Sequence, residues 1–148
     1  MTDIKTWQQA FDYCLSTRHT WRHGNGRQAA IINCNHFTRL RGSSFPVSKI
    51  TQPVISQVCI ELEDEGKSDG TINRIVSAVS TALRHCEFDG LISSVPRFRR
   101  RKEGEGRPTW YTKPEVKLMQ NVSTNVFQRQ DLCDIIGFAA FTGMRQSE

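Results

Sequence analysis

No stretch of this sequence approaches the roughly 18 consecutive apolar residues of a membrane-spanning helix. Its start, Met1-Thr2-Asp3-Ile4-Lys5-Thr6-Trp7, lacks the basic-then-apolar pattern of a secretory signal. The cytoplasm is therefore the expected compartment, and no membrane partner is expected. The five cysteines (Cys14, Cys34, Cys59, Cys86 and Cys133) include no Cys-x-x-Cys pair, and His19, His23, His36 and His85 stand at no metal-ligand spacing beside them. Odd in number and mostly set within apolar periodicity, they read as small buried hydrophobes in a reducing compartment, with no metal expected.

What is present is a positive charge, unevenly spread. The 148 residues suffice for one medium domain, or one small domain and part of another. Of the net +5, residues 1–60 carry seven Lys or Arg against two Asp or Glu. Residues 61–94 reverse this with three against seven, and residues 95–148 return to ten against six. Basic blocks flanking an acidic one suggest a polyanionic partner, with solubility as the alternative use of the charge.

Apolar spacing predicts helices throughout. Residues 3–17 place Ile4, Trp7, Phe11 and Cys14/Leu15 on one face. Ser16 to Gly26 reads as a polar connector whose Trp21 either packs or joins Arg18 and Arg22 in gripping nucleic acid, packing being favoured. A second helix over 27–40 turns Ala30, Ile31, Cys34, Phe37 and Leu40 inward. The basic block over residues 18–49 offers Arg27, Arg39 and Lys49 as phosphate contacts. Thr51 as N-cap and Pro53 in the first turn open a third helix, which runs to about Glu65. Its acidic end, Glu61, Glu63, Asp64 and Glu65, is expected to be a solvated face turned away from any phosphate.

A fourth helix, capped by Ser68 or Asp69 and stopped by Asp89-Gly90, carries the stripe Ile72, Ile75, Val76, Val79, Leu83 and Cys86. Another face shows Asn73, Ser77, Ser80, Thr81 and Arg84, with Arg74 beside them. Short polar side chains can approach base edges in a major groove while arginines reach phosphate or guanine. An ordinary solvated face is the alternative. From Val95 to Pro108, proline and glycine interrupt any helix, and Arg97, Arg99, Arg100, Arg101, Lys102 and Arg107 outnumber Glu103 and Glu105. Such a strand either tracks a phosphate backbone or serves as a soluble tether. Thr112-Lys113-Pro114-Glu115 then reads as a capping box. A last apolar helix, Leu132 to Phe141, stops at Thr142-Gly143, with Arg145 and Glu148 close behind.

That final string, Thr142-Gly143-Met144-Arg145-Gln146-Ser147-Glu148, resembles the Thr-Gly-x-Arg-x-Ser-Glu signature around the first catalytic arginine of tyrosine recombinases, the phage-integrase family. Thr71-Ile72-Asn73-Arg74 with the helix after it, then Phe88 to Ile92 and Pro96, resemble the last long helix of the family's core-binding domain. The resemblance implies an all-α chain. A four-helix SAM-like DNA-binding domain would span 1–94, a basic linker 95–108, and the start of an incomplete catalytic domain 109–148. It implies that Arg145 binds the non-bridging phosphate oxygens of the transition state and that Glu148 supports it. Asn73, Arg74, Ser77, Thr81, Arg84, Arg97, Arg99, Arg100 and Arg101 would contact double-stranded DNA. No metal or other cofactor would be needed, and further protomers would assemble on DNA as a tetramer.

The family's hairpin lysine, His-x-x-Arg pair, later His/Trp and tyrosine nucleophile have no counterparts in this sequence. Tyr13 and Tyr111 both precede Arg145, so neither matches the nucleophile, and Tyr111 is expected to pack beside Trp110. The expected activity of this chain alone is DNA binding without cleavage. The other readings are a stand-alone helical DNA-binding module and a helical protein-interaction fragment.

Overall fold

The chain forms two compact units, Met1–Gly104 and Glu105–Glu148. The computed structural model describes residues 3–24, 26–104 and 110–143, and every named element among them is helical, as the all-α expectation requires. The first unit contains α1 (Trp7–Thr17), α2 (His19–Arg22), α3 (Gly26–Arg41), α4 (Gln52–Asp64) and α5 (Asp69–Phe88), with a 3₁₀ turn at Val47–Lys49.

The core is built on α5. Its stripe of Ile72, Ile75, Val76, Val79, Leu83 and Cys86 is buried along its full length. Ser68 caps the helix by accepting from the Thr71 N–H, and Gly90, at φ +71°, takes the left-handed conformation just beyond its end. Against this stripe α1 and α3 deliver an aromatic group. Trp7 is wholly buried, stacks on Phe11 at 5.8 Å between centroids and meets Phe37 edge-on at 4.9 Å. Each such pair contributes about 0.5–1.5 kcal/mol beyond its buried area. The Trp7 indole N–H donates to Thr38 Oγ1 at 2.7 Å, so its burial strands no donor.

Several local expectations shift. The first helix begins at Trp7 rather than residue 3, because Thr6 is its N-cap and Gln9 reaches back to the Thr6 N–H. The polar connector contains the short α2, and Trp21 within it is buried edge-on to Phe11. Cys14, Cys34, Cys59 and Cys86 are buried, and burial pushes the Cys86 thiol up to about 11. They are packing residues at neutral pH.

Residues 95–104 depart most from expectation. They form no helix but are not a free tether, since Val95 and Phe98 pack on the core of the first unit and the compact unit runs through Gly104. The second unit pairs α6 (Lys113–Asn125) with α7 (Gln130–Thr142). Glu115 accepts from the Thr112 N–H at 2.7 Å, the reaching-back half of the expected capping box. Gly143, at φ +68°, ends α7 as its sequence position predicts. The α7 helix contains no buried residue, and Ile135, Phe138 and Phe141 are all exposed. Tyr111 and Trp110 are exposed too, so the expected packing of that pair is not found.

Candidate nucleic-acid interface

The helical repeat that turns Ile72 to Cys86 inward sends Arg74, Ser77, Thr81 and Arg84 to one outer stripe of α5, at steps of three and four. The segment 95–104 runs beside that stripe. Between them lies an open groove of about 440 Å³, lined by Val76, Ser77, Ser80, Thr81, Arg84, Arg97, Phe98 and Arg100. Its floor is hydroxyl-rich and its walls are guanidinium. Arg100 donates to Ser77 Oγ at 3.0 Å, while the Thr81 hydroxyl turns back to the Ser77 carbonyl at 2.8 Å. A second cavity, lined by Arg18, Thr81, Arg84, His85, Phe88 and Asp89, shares Thr81 and Arg84 with the first. Arginines therefore continue toward the C-terminal end of α5, there beside the Asp89 carboxylate, and the Arg18 Nε is buried without a hydrogen-bond partner among the described residues.

Charge pairing separates the arginines into two sets. Among the described residues, Arg74, Arg84, Arg97, Arg99 and Arg100 are exposed and have no carboxylate within ion-pair distance. Arg39, Arg41 and Arg101 do, as does Arg129 with Asp131 in the second unit. Arg39 pairs with Glu65 at 2.7 Å, and Arg41 grips Glu61 through both terminal nitrogens at 2.8 and 2.9 Å. Arg101 divides its guanidinium between Glu63 at 2.7 Å and Asp69 at 3.1 Å. These carboxylates hold the Arg101 guanidinium still more firmly protonated, and the Arg41 hydrogen bonds hold the Glu61 carboxyl below its usual range.

This partition divides the expected contact set. The acidic end of α4 is not merely a solvated face, because Glu61, Glu63 and Glu65 neutralise arginines from other segments. Arg101 is accordingly engaged within the fold, while Arg39, its side chain 52% exposed, is paired at the surface. Asn73 is buried, at 6% exposure, and cannot face a base edge. Its Oδ1 accepts from the Arg101 N–H at 2.9 Å, while its Nδ2 donates to the Arg101 carbonyl and to Glu103 at 2.9 and 2.8 Å. Arg27 donates to the Leu15 and Trp21 carbonyls at 3.3 Å, a structural use near the ends of α1 and α2. Lys49 is exposed on the 3₁₀ turn and lines neither cavity of the interface. Arg145 and Glu148 lie outside the described residues.

Phe98 belongs to the surface but was not singled out as a contact from sequence, whereas Arg18 was named there only as a companion of Trp21. A lone aromatic inside Arg97-Phe98-Arg99-Arg100-Arg101 is the signal for Phe98, since a free polar strand has no use for it. Tyr13 serves packing rather than chemistry, its hydroxyl donating to Asp89 at 2.8 Å. Among the described residues, no three His, Cys, Asp or Glu side chains converge as a metal site would need. No family model, curated protein or solved structure matches the chain.

Proposed function

We propose that this chain binds duplex DNA as the N-terminal portion of a site-specific tyrosine recombinase. The observation supporting DNA binding is the hydroxyl-floored groove of α5, with Arg84, Arg97 and Arg100 around it and no carboxylate pairing them among the described residues. Neutral hydroxyls tolerate close approach to bases or sugars, and exposed guanidinium groups replace the counterions of the phosphate chain. The recombinase assignment, with its SAM-like first domain and its tetramer on DNA, rests on the resemblance of Thr142 to Glu148 to the family's arginine box. On this reading Arg145 stabilises the pentacoordinate phosphate, with Glu148 supporting it, and neither metal nor nucleotide is required.

The groove lies wholly within the first unit, which favours the second reading, a stand-alone DNA-binding module. The reading frame immediately downstream of codon 148 separates the two. Continuation into His-x-x-Arg and a late tyrosine supports the recombinase, and a stop codon supports the module.

Titration of a labelled duplex across a salt series tests binding itself. The log affinity should fall against log salt with a slope of about −0.9 per phosphate neutralised. Arg84→Ala should cost about 1–3 kcal/mol and relax preference at one position if it reads a guanine, or lower affinity uniformly if it holds phosphate. Arg145→Ala should leave affinity nearly unchanged, because a contact made mainly in the transition state adds little in the ground state. Salt-insensitive binding, or none at low salt, removes the proposal.

A further inference from the structure

We infer that Asn73 and Arg101 are positioning residues: they latch residues 95–104 onto α4 and α5, so that Arg97, Arg99 and Arg100 are pre-arranged for phosphate, and neither residue touches DNA itself. The inference rests on the duplex-binding reading above. Arg101 sits in the most basic run of the chain, yet its guanidinium is shared between Glu63 on α4, Asp69 on α5 and the Cys59 carbonyl at 3.3 Å. Asn73 uses its amide as a peptide unit would, donating to and accepting from the backbone of Arg101.

The remaining anchors follow the same segment. The Val95 N–H donates to Glu87 Oε1 and the Arg99 N–H to Gln52 Oε1, each at 2.9 Å. Phe98 packs on the core between them. The Glu63 and Asp69 side chains are 61% and 45% exposed, so either pair alone would contribute little. Sharing one planar fork between two helices, next to a buried amide that fixes the peptide, gives the geometry its specificity. A strand already ordered in the free protein spares DNA binding the entropy of ordering it.

The test uses the full chain, a labelled duplex and the double variant Glu63→Gln/Asp69→Asn. This variant removes two negative charges from a protein that binds a polyanion, so simple electrostatics demands tighter binding. The latch demands the opposite: affinity about tenfold weaker, the equivalent of re-ordering roughly one residue. The salt slope should stay unchanged, because the same phosphates are neutralised. Asn73→Ala, which alters no charge, should act in the same direction, with helix content checked by circular dichroism. Residue-resolved amide exchange supplies a readout without DNA, the Arg99 and Arg101 amides being protected in the wild type and exposed in the double variant.

Unchanged or tighter binding by the double variant overturns the inference. So does a drop in salt slope of about 0.9 for Arg101→Ala, which would make Arg101 a phosphate contact. A wild-type chain that binds no duplex removes the functional reading and this inference with it. Wild-type binding with an indifferent double variant removes the latch alone.

Discussion

The two units solve the burial problem to different degrees. In the first, α5 buries nine residues, and Trp7, Leu62, Ile72, Ile75 and Leu83 are completely or almost completely removed from solvent. In the second, α7 has the higher apolar content yet buries none of its residues, and its partner α6 buries only Val116 and Ser123. Hydrophobic sequence is therefore not the same as a hydrophobic core. A helix gains from its apolar residues in proportion to the area that its neighbours cover. Two helices cover one side of each other, whereas α5 has α1, α3 and α4 around it.

The largest effect that can break this comparison is core truncation. Trp7→Ala should cost about 3–5 kcal/mol in urea unfolding followed by circular dichroism, because it opens a cavity between Phe11, Phe37 and α5. Phe138→Ala also removes an aromatic ring, but one already 58% exposed, and should cost less than about 1 kcal/mol. Comparable costs at the two positions would mean that α7 is covered as α5 is. Amide exchange reads the same difference without substitution: the interior of α5 should exchange only on global opening, and α6 and α7 well before it. Equal protection in a monomer would abolish the distinction.

A matched pair of glycines sharpens the comparison by removing packing from it. Gly90 and Gly143 occupy the left-handed region at φ +71° and +68°, with open space where a side chain would begin. Replacement by alanine should destabilise the end of α5 and the end of α7 by about the same 1–2 kcal/mol, since the strain is local. Residue-resolved exchange at residues 86–91 and 139–143 measures both, and a twofold or larger disparity would show that tertiary contacts enter at one of them.

The smallest effect is electrostatic. The Arg41 hydrogen bonds depress the Glu61 carboxyl in the folded state. Its contribution is therefore complete above the unfolded value, about 4.3, and is lost as the pH falls through the lower folded value. The first unit should lose up to about 1 kcal/mol from this pair during acidification, and Arg41→Gln should flatten that part of the pH–stability curve. Thermal melts between acidic and neutral pH check the sign. Stability that rises on acidification through this window in the wild type but not in the variant would contradict it.

The helices were legible because their signals are local. The stripe from Ile72 to Cys86, the Ser68 cap, the reach of Glu115 back to Thr112 and the stop at Gly143 all lie within one helix and its flanks. Trp21 was legible in part, since an indole beside basic residues has a packing use whenever a core is near. The candidate interface was read less well. Asn73 shares polarity and helical placement with Ser77 and Thr81, but faces a segment 28 residues away that holds its amide. Periodicity gives the angle of a side chain around its helix, not what crosses that angle.

Sequence alone determined the helical class, the register of each apolar stripe and the excess of arginine at residues 97–101, because period, capping and charge are properties of adjacent residues. Tertiary structure decided which arginines are available. Glu63 and Asp69 lie 38 and 32 residues from Arg101, and Glu65 lies 26 from Arg39. Attraction between charges depends on their separation in space, so only the packing of α3, α4 and α5 could leave Arg84, Arg97 and Arg100 facing the groove while Arg39 and Arg101 were paired with carboxylates.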